Sequence, residues 1–201
     1  MSKRILVSIL AVAMLLALIP AGCATSKPEQ KTAIDTILNS FSTEEFAAGK
    51  ITDESIQQIL QCGQKATSSW NLQPWHFTVI RNSDTIKNLL ANGVAQREYQ
   101  DGNTIIVISA KIKEDPGVST TLDAALAAQN MYIAAQSLGL GTRFYYDVIP
   151  LINSSLKDTL GIPQDYEAQI YLYLGYLPKG VDVTTSASER NPLEGNVNYI
   201  D

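Results

Sequence analysis

Along most of the chain, apolar residues recur with two distinct periods, and the switch between them marks out the elements. Ala33, Ile34, Ile37 and Leu38 have helical spacing within residues 30–40. Thr52 or Asp53 can cap a second helix whose inner face carries Ile56, Ile59 and Leu60. Residues 68–74 break the regularity and read as a loop. Trp75, Phe77 and Val79 then alternate with His76, Thr78 and Ile80, the period of a strand. Ser83 is a candidate cap for a short helix bearing Ile86, Leu89 and Leu90. Residues 104–110 are β-branched and apolar, which suits a buried strand. Residues 121–138 form the longest helical pattern, apolar or small almost all round, and Gly139 stops it. Such a helix belongs at the centre of a domain or in a dimer interface. Residues 142–146 and 168–176 read as strands, with a short helix over 151–160 between them. After Leu177 the chain is punctuated by Pro and Gly and reads as an extended arm. Strands separated by helices predict an α/β or α+β sandwich of helices and one sheet.

The beginning of the chain has neither period. Lys3 and Arg4 precede an almost wholly apolar run over residues 5–20, followed by Ala21, Gly22 and Cys23. A basic start, a short apolar stretch and small residues before a cut make an export signal. The run is short for a comfortable membrane span. Cys23 directly after Ala21-Gly22 resembles a bacterial lipoprotein signal, with Pro20 where Leu is usual. That resemblance implies a lipidated Cys23 and a mature chain anchored at the outer face of a bacterial membrane. The expected organisation is a signal peptide over residues 1–22, a tether over 23–32 and one domain over 33–201.

Composition narrows the chemistry. The net charge is −5 and the hydrophobic fraction 45%, enough for one core and without the basic excess of a nucleic-acid binder. Cys23 and Cys62 are the two cysteines. With Cys23 lipidated, no internal disulfide is expected, and Cys62 reads as a small buried hydrophobe. His76 is the single histidine. A multi-histidine metal site is thereby excluded, and His76 reads as a structural residue within its strand. Gly139-Leu140-Gly141 is too short for a dinucleotide fingerprint.

The ordered blocks of the chain do carry a likeness. Residues 66–77, with Ser68, Ser69, Asn71, Gln73, Pro74 and Trp75, resemble the flavin loop of the nitroreductase family, written A-P-S-x-x-N-x-Q-P-W-x-F; Thr67 replaces its Pro. Residues 123–131 resemble the family's central helix, and Gly139-Leu140-Gly141-Thr142 the turn that closes it. Leu160-Gly161-Ile162-Pro163, Leu174-Gly175-Tyr176-Leu177-Pro178, and Arg190-Asn191-Pro192-Leu193-Glu194 with Tyr199 match later blocks. The resemblance implies a three-layer α+β sandwich with a mostly antiparallel sheet and a C-terminal arm, assembled as a homodimer that holds FMN between its subunits. It also implies two-electron reduction of a nitroaromatic, quinone or similar acceptor, with NAD(P)H as a possible donor and no catalytic side chain.

An amide such as Asn71 can donate and accept together at the edge of an isoalloxazine ring. Gln73 could do the same or brace the loop, and Ser68 and Ser69 offer hydroxyls and amides. Trp75 reads as a core anchor. The resemblance places Thr142, Arg143 and Phe144 opposite the flavin N5. The departure lies at residues 41–46. The family's R-S-x-R motif, whose arginines grip the flavin phosphate, matches Phe41-Ser42-Thr43-Glu44. Ser42 fits, but Phe41 and Glu44 stand where the arginines belong. Arg190 is then the leading phosphate ligand, with Arg143 and Lys65 behind it. The competing expectation is a non-catalytic lipoprotein that kept this fold, lost the flavin and binds a small ligand or a protein.

Overall fold

The computed structural model describes residues 32–93, 98–112, 118–181 and 190–200. The expected signal, Cys23 and most of the expected tether lie outside them. Residues 31–201 make one compact unit.

Four antiparallel strands form the sheet: β1 (Trp75–Ile80), β2 (Thr104–Lys111), β3 (Leu140–Tyr145) and β4 (Tyr166–Tyr176), in the order β1-β2-β4-β3. The inner strands β2 and β4 are the most continuously apolar, as strands covered on both faces must be. Helices α1 (Ala33–Leu38), α2 (Asp53–Gln64) and α4 (Thr120–Ser137) belong to one side of the sheet. Ile56 and Ile59 of α2 pack there with Met131 and Tyr132 of α4, Ile106 and Ile108 of β2, and Leu172 and Leu174 of β4. On the opposite face, Ile86, Leu89 and Leu90 of α3 (Ser83–Ala91) meet Ile105, Val107, Tyr171 and Tyr173. The result is the three-layer α+β sandwich expected from the sequence.

Local chemistry sets the boundaries. Thr52 accepts from the Ser55 amide to cap α2, and Ser119 caps α4 through the Leu122 amide. The cap of α3 is Asn82, not Ser83, which is the first helical residue; the Asn82 carboxamide oxygen accepts from the Thr85 amide. The expected helix over 151–160 is a single turn, α5 (Ile149–Leu151), running into a π-helical turn at Ile152–Leu156. Gly139, at φ +76°, ends α4 in the left-handed region.

Two sequence readings change. Cys62 is exposed, because the buried stripe of α2 runs through Ile56, Ile59 and Gly63 and turns Cys62 toward Gln58 and Lys65. The small residues of α4 are not covered all round. Ala124, Ala127, Ala128, Met131 and Ala135 are buried, while Leu122 and Leu126 face outward. Among the described residues, no helix is long and apolar enough to cross a membrane.

Candidate functional site

The segment over residues 41–44 runs beside β3 with its side chains alternating inward and outward. Phe41 and Thr43 are buried, whereas Ser42 and Glu44 are exposed. Gln136 of α4 holds Phe41 as a second strand would: the Phe41 amide donates to Oε1 at 3.3 Å, and Nε2 donates to the Phe41 carbonyl at 2.6 Å. The Thr43 amide donates to the Thr142 carbonyl at 2.9 Å, and the Thr142 amide donates to Thr43 Oγ1 at 3.0 Å. This close approach explains Gly141, where a Cβ would stand 2.8 Å from the Thr43 methyl.

These contacts decide two of the sequence-predicted positions. Thr142 is fully buried, its amide is committed to Thr43, and its hydroxyl accepts from Gln136 at 3.1 Å. Its amide and one hydroxyl lone pair are thus committed within the chain, which leaves the hydroxyl proton as its remaining donor. Arg143, the next residue, points outward, and its Nη1 donates to Glu44 Oε1 at 3.1 Å. Glu44, which stands where the resemblance expects an arginine, therefore pairs with the cation beside it. The pair is largely exposed on the Glu44 side, so it is worth at most about 1 kcal/mol. Glu45 and Glu98 line the same shallow pocket as Glu44.

A second set of predicted residues lies on the loop before β1. Ser69–Asn71 form a single 3-10 turn. Trp70, Asn71 and Gln73 have φ of 52°, 56° and 49°. Left-handed conformations cost side-chain-bearing residues of order 1 kcal/mol each, and such clusters concentrate at functional loops. Ser68 and Ser69 spend their hydroxyls within the chain. Ser68 Oγ accepts from the Gln73 amide at 3.0 Å, and both the amide and hydroxyl of Ser69 donate to Asp123 Oδ1, at 3.0 and 3.2 Å. Gln73 Nε2 donates weakly to the Asn71 carbonyl at 3.4 Å, a bracing contact. Asn71 is exposed, and its side-chain amide has no hydrogen-bond partner among the described residues. Trp75 is buried and stacks on Phe77, as its core reading requires. His76 packs against the Tyr166 ring. Asp123 was not singled out from sequence; the signal available was one acid in the first turn of an otherwise apolar helix.

The two sets do not meet. Trp75 pairs with Ala110, which pairs with Glu167 near the start of β4, whereas Arg143 pairs with Tyr173 near its end. Three strand spacings across and six residues along separate them by roughly 25 Å. They sit at opposite corners of one sheet. Arg190 and Tyr199 are exposed in the arm, and Lys65 lines a groove between α1, α2 and α4 together with Ile37, Cys62 and Ile133. No cluster of potential metal ligands occurs among the described residues.

The nitroreductase family model matches residues 39–96 and 90–176. The chain belongs to the nitroreductase family. An NADPH-flavin oxidoreductase of Vibrio harveyi is 29% identical over 165 residues, covering 75% of this chain and 68% of the relative. An FMN reductase (NADPH) of Bacillus subtilis is 28% identical over 127 residues, 54% of this chain and 51% of the relative. A Bacteroides fragilis nitroreductase crystallised with bound FMN superposes with a TM-score of 0.67 at 20% identity, over 85% of this chain and all of the other. One from Desulfitobacterium hafniense, also with bound FMN, gives 0.69 at 20% identity over 84% and 98%. These two likenesses fix the nitroreductase fold for residues that composition alone left as a generic sandwich.

Proposed function

We propose that this nitroreductase-family chain binds FMN and reduces a nitroaromatic, quinone or similar acceptor by two electrons, with NAD(P)H as donor. The observation that carries the reading is Asn71. Its uncommitted amide sits on a strained loop and can donate and accept at a flavin ring edge. The family relatives named for flavin and NADPH support the same assignment. Bound flavin supplies the electron-transfer chemistry itself, so the chain's task is to hold and orient it.

The fit differs between the two ends of the cofactor. At the ring end, Asn71 is free to bind, while Ser68, Ser69 and Gln73 shape the loop that presents it. At the phosphate end, Ser42 offers an exposed hydroxyl, and Arg190 lies in the exposed arm. Arg143 must leave Glu44 to join them. A phosphate dianion is the stronger partner for a guanidinium, because it carries up to twice the charge of a carboxylate while accepting in the same bidentate fashion.

The proposed assembly is a homodimer. The Asn71 loop leads into Trp75, whose corner of the sheet lies roughly 25 Å from that of Arg143. A two-fold partner can bring the Asn71 loop of one subunit to the Ser42 corner of the other. Ile34, Ile37 and Leu38 of α1, with Leu122, Leu126 and Leu138 at α4, leave an apolar face exposed that such a partner would cover. Export and a lipid on Cys23, at the outer face of a bacterial membrane, complete the proposal on the strength of the signal pattern.

A second reading is a non-catalytic lipoprotein of the same fold. The burial of Phe41 and the Glu44–Arg143 ion pair favour it. The separating experiment mixes the purified chain with FMN, desalts it, and records the flavin absorbance and the melting temperature. Retained yellow colour with a raised melting temperature is expected. Colourless protein with an unchanged melting temperature would leave the second reading standing.

A further inference from the structure

We infer that Asp123 is a positioning residue, whose buried carboxylate fixes the conformation of the loop that presents Asn71. The inference rests on the flavin reading of that loop for its functional meaning, though its structural content stands apart. Asp123 lies in the first turn of α4 and is 4% exposed. Its Oδ1 accepts from both the amide and the hydroxyl of Ser69, across 54 residues of sequence. Its Oδ2 has no partner among the described residues. Burying a carboxylate oxygen without a donor is unfavourable, and the favourable field at the helix N-terminus offsets only part of that cost. The carboxylate stabilises something else, and the one thing it touches by hydrogen bonds is Ser69.

Ser69 is where the loop is built. Its carbonyl accepts from the Leu72 amide at 3.0 Å, and the Ser68 carbonyl accepts from the Asn71 amide at 3.0 Å. These turn bonds hold Trp70 and Asn71 in the left-handed region. They are local, and local bonds at an exposed turn open readily. The other hydrogen-bonded tie to the domain comes after the turn, where the Lys111 amide donates to the Pro74 carbonyl at 2.8 Å. Asp123 is the tie before it. With both in place the turn is pinned on either side, and the Asn71 amide points outward without searching. With Asp123 gone, residues 68–73 lose their side-chain tie to α4 and are held only through their connections to α2 and β1, and ligand binding must bear the cost of ordering them.

The test compares Asp123→Ala, Asp123→Asn and Ser69→Ala in the full chain by hydrogen exchange of residues 69–73 and by FMN titration. Asp123→Ala should speed exchange of these amides by about tenfold or more and weaken FMN binding by a similar factor. Asp123→Asn keeps an oxygen for Ser69 and should stay within about threefold of the parent. Ser69→Ala loses one of the two bonds and should fall between them, which also covers an Asp123→Ala chain that fails to fold. Unchanged exchange in both Asp123→Ala and Ser69→Ala, or an Asn variant as impaired as the Ala variant, would overturn the inference. If the parent binds no FMN while the exchange contrast persists, Asp123 keeps its positioning role and the flavin reading fails instead.

Discussion

Glu44 shows how one side chain can redirect a site. Where the family resemblance places a cation, this chain carries a carboxylate that neutralises Arg143 at 3.1 Å. Glu44→Gln should free Arg143 and tighten FMN binding about two- to fivefold, the worth of an exposed ion pair. Riboflavin, which lacks the phosphate, should bind the two proteins alike. Quenching of flavin fluorescence reads both affinities, and an equal gain for riboflavin would remove the phosphate from the explanation. Phe41 is different in kind. It is a core residue held by Gln136, so Phe41→Arg should lower stability by about 2–4 kcal/mol through burial of a charge, measured by urea denaturation. Restoring the family motif there would damage the fold before it helped the flavin. Ser42, Asn71 and Glu44 were legible as candidates from motif alone. Asp123 was not, because its meaning depends on a partner 54 residues away.

Among the elements, the pairing of α2 with α4 does most to set the site's base. Gly63 of α2 is buried against Met131 of α4, and a Cβ there would lie 2.2 Å from the Met131 methyl and 2.9 Å from its Cγ. The helices approach because Gly63 has no side chain. Gly63→Leu should destabilise the domain by about 1–3 kcal/mol through overpacking. It should also weaken flavin binding, because Asp123 rides on α4. Thermal unfolding and FMN titration would separate the two effects. Strands were legible because alternation and β-branching have few competing explanations. Cys62 was misjudged, because an apolar residue at helical spacing can stand on either side of a buried stripe one residue wide. The outward face of α4 was ambiguous for the same reason: small residues nearly all round carry no direction.

For the whole molecule, the decisive feature is the distance between corners. The proposed dimer makes one site from the Asn71 loop of one subunit and the Ser42 segment of the other. Leu126, 48% exposed on α4, belongs to the face such a dimer would cover. Leu126→Glu should shift the protein to monomer by light scattering, and FMN retention should fall with it. A monomeric variant that still holds FMN would show that one subunit suffices. The arm leads to the same expectation, since Leu193, Tyr199 and Ile200 project exposed apolar surface without a core of their own.

The sequence by itself determined the order of helices and strands, the family and the loop motif over residues 66–77. Those depend on local periodicity and on contiguous motifs, which a linear chain carries intact. Tertiary structure decided which of the motif's polar groups remain free. It committed Ser68, Ser69 and Thr142 to bonds within the chain, left the Asn71 side chain without a hydrogen-bond partner among the described residues, and tied Glu44 to Arg143. It also set the two groups of candidate residues at opposite corners of the sheet. The physical reason is common to all of these: hydrogen bonds and ion pairs saturate. A donor's availability is fixed by whichever acceptor the fold brings to it, and that acceptor is usually distant in sequence.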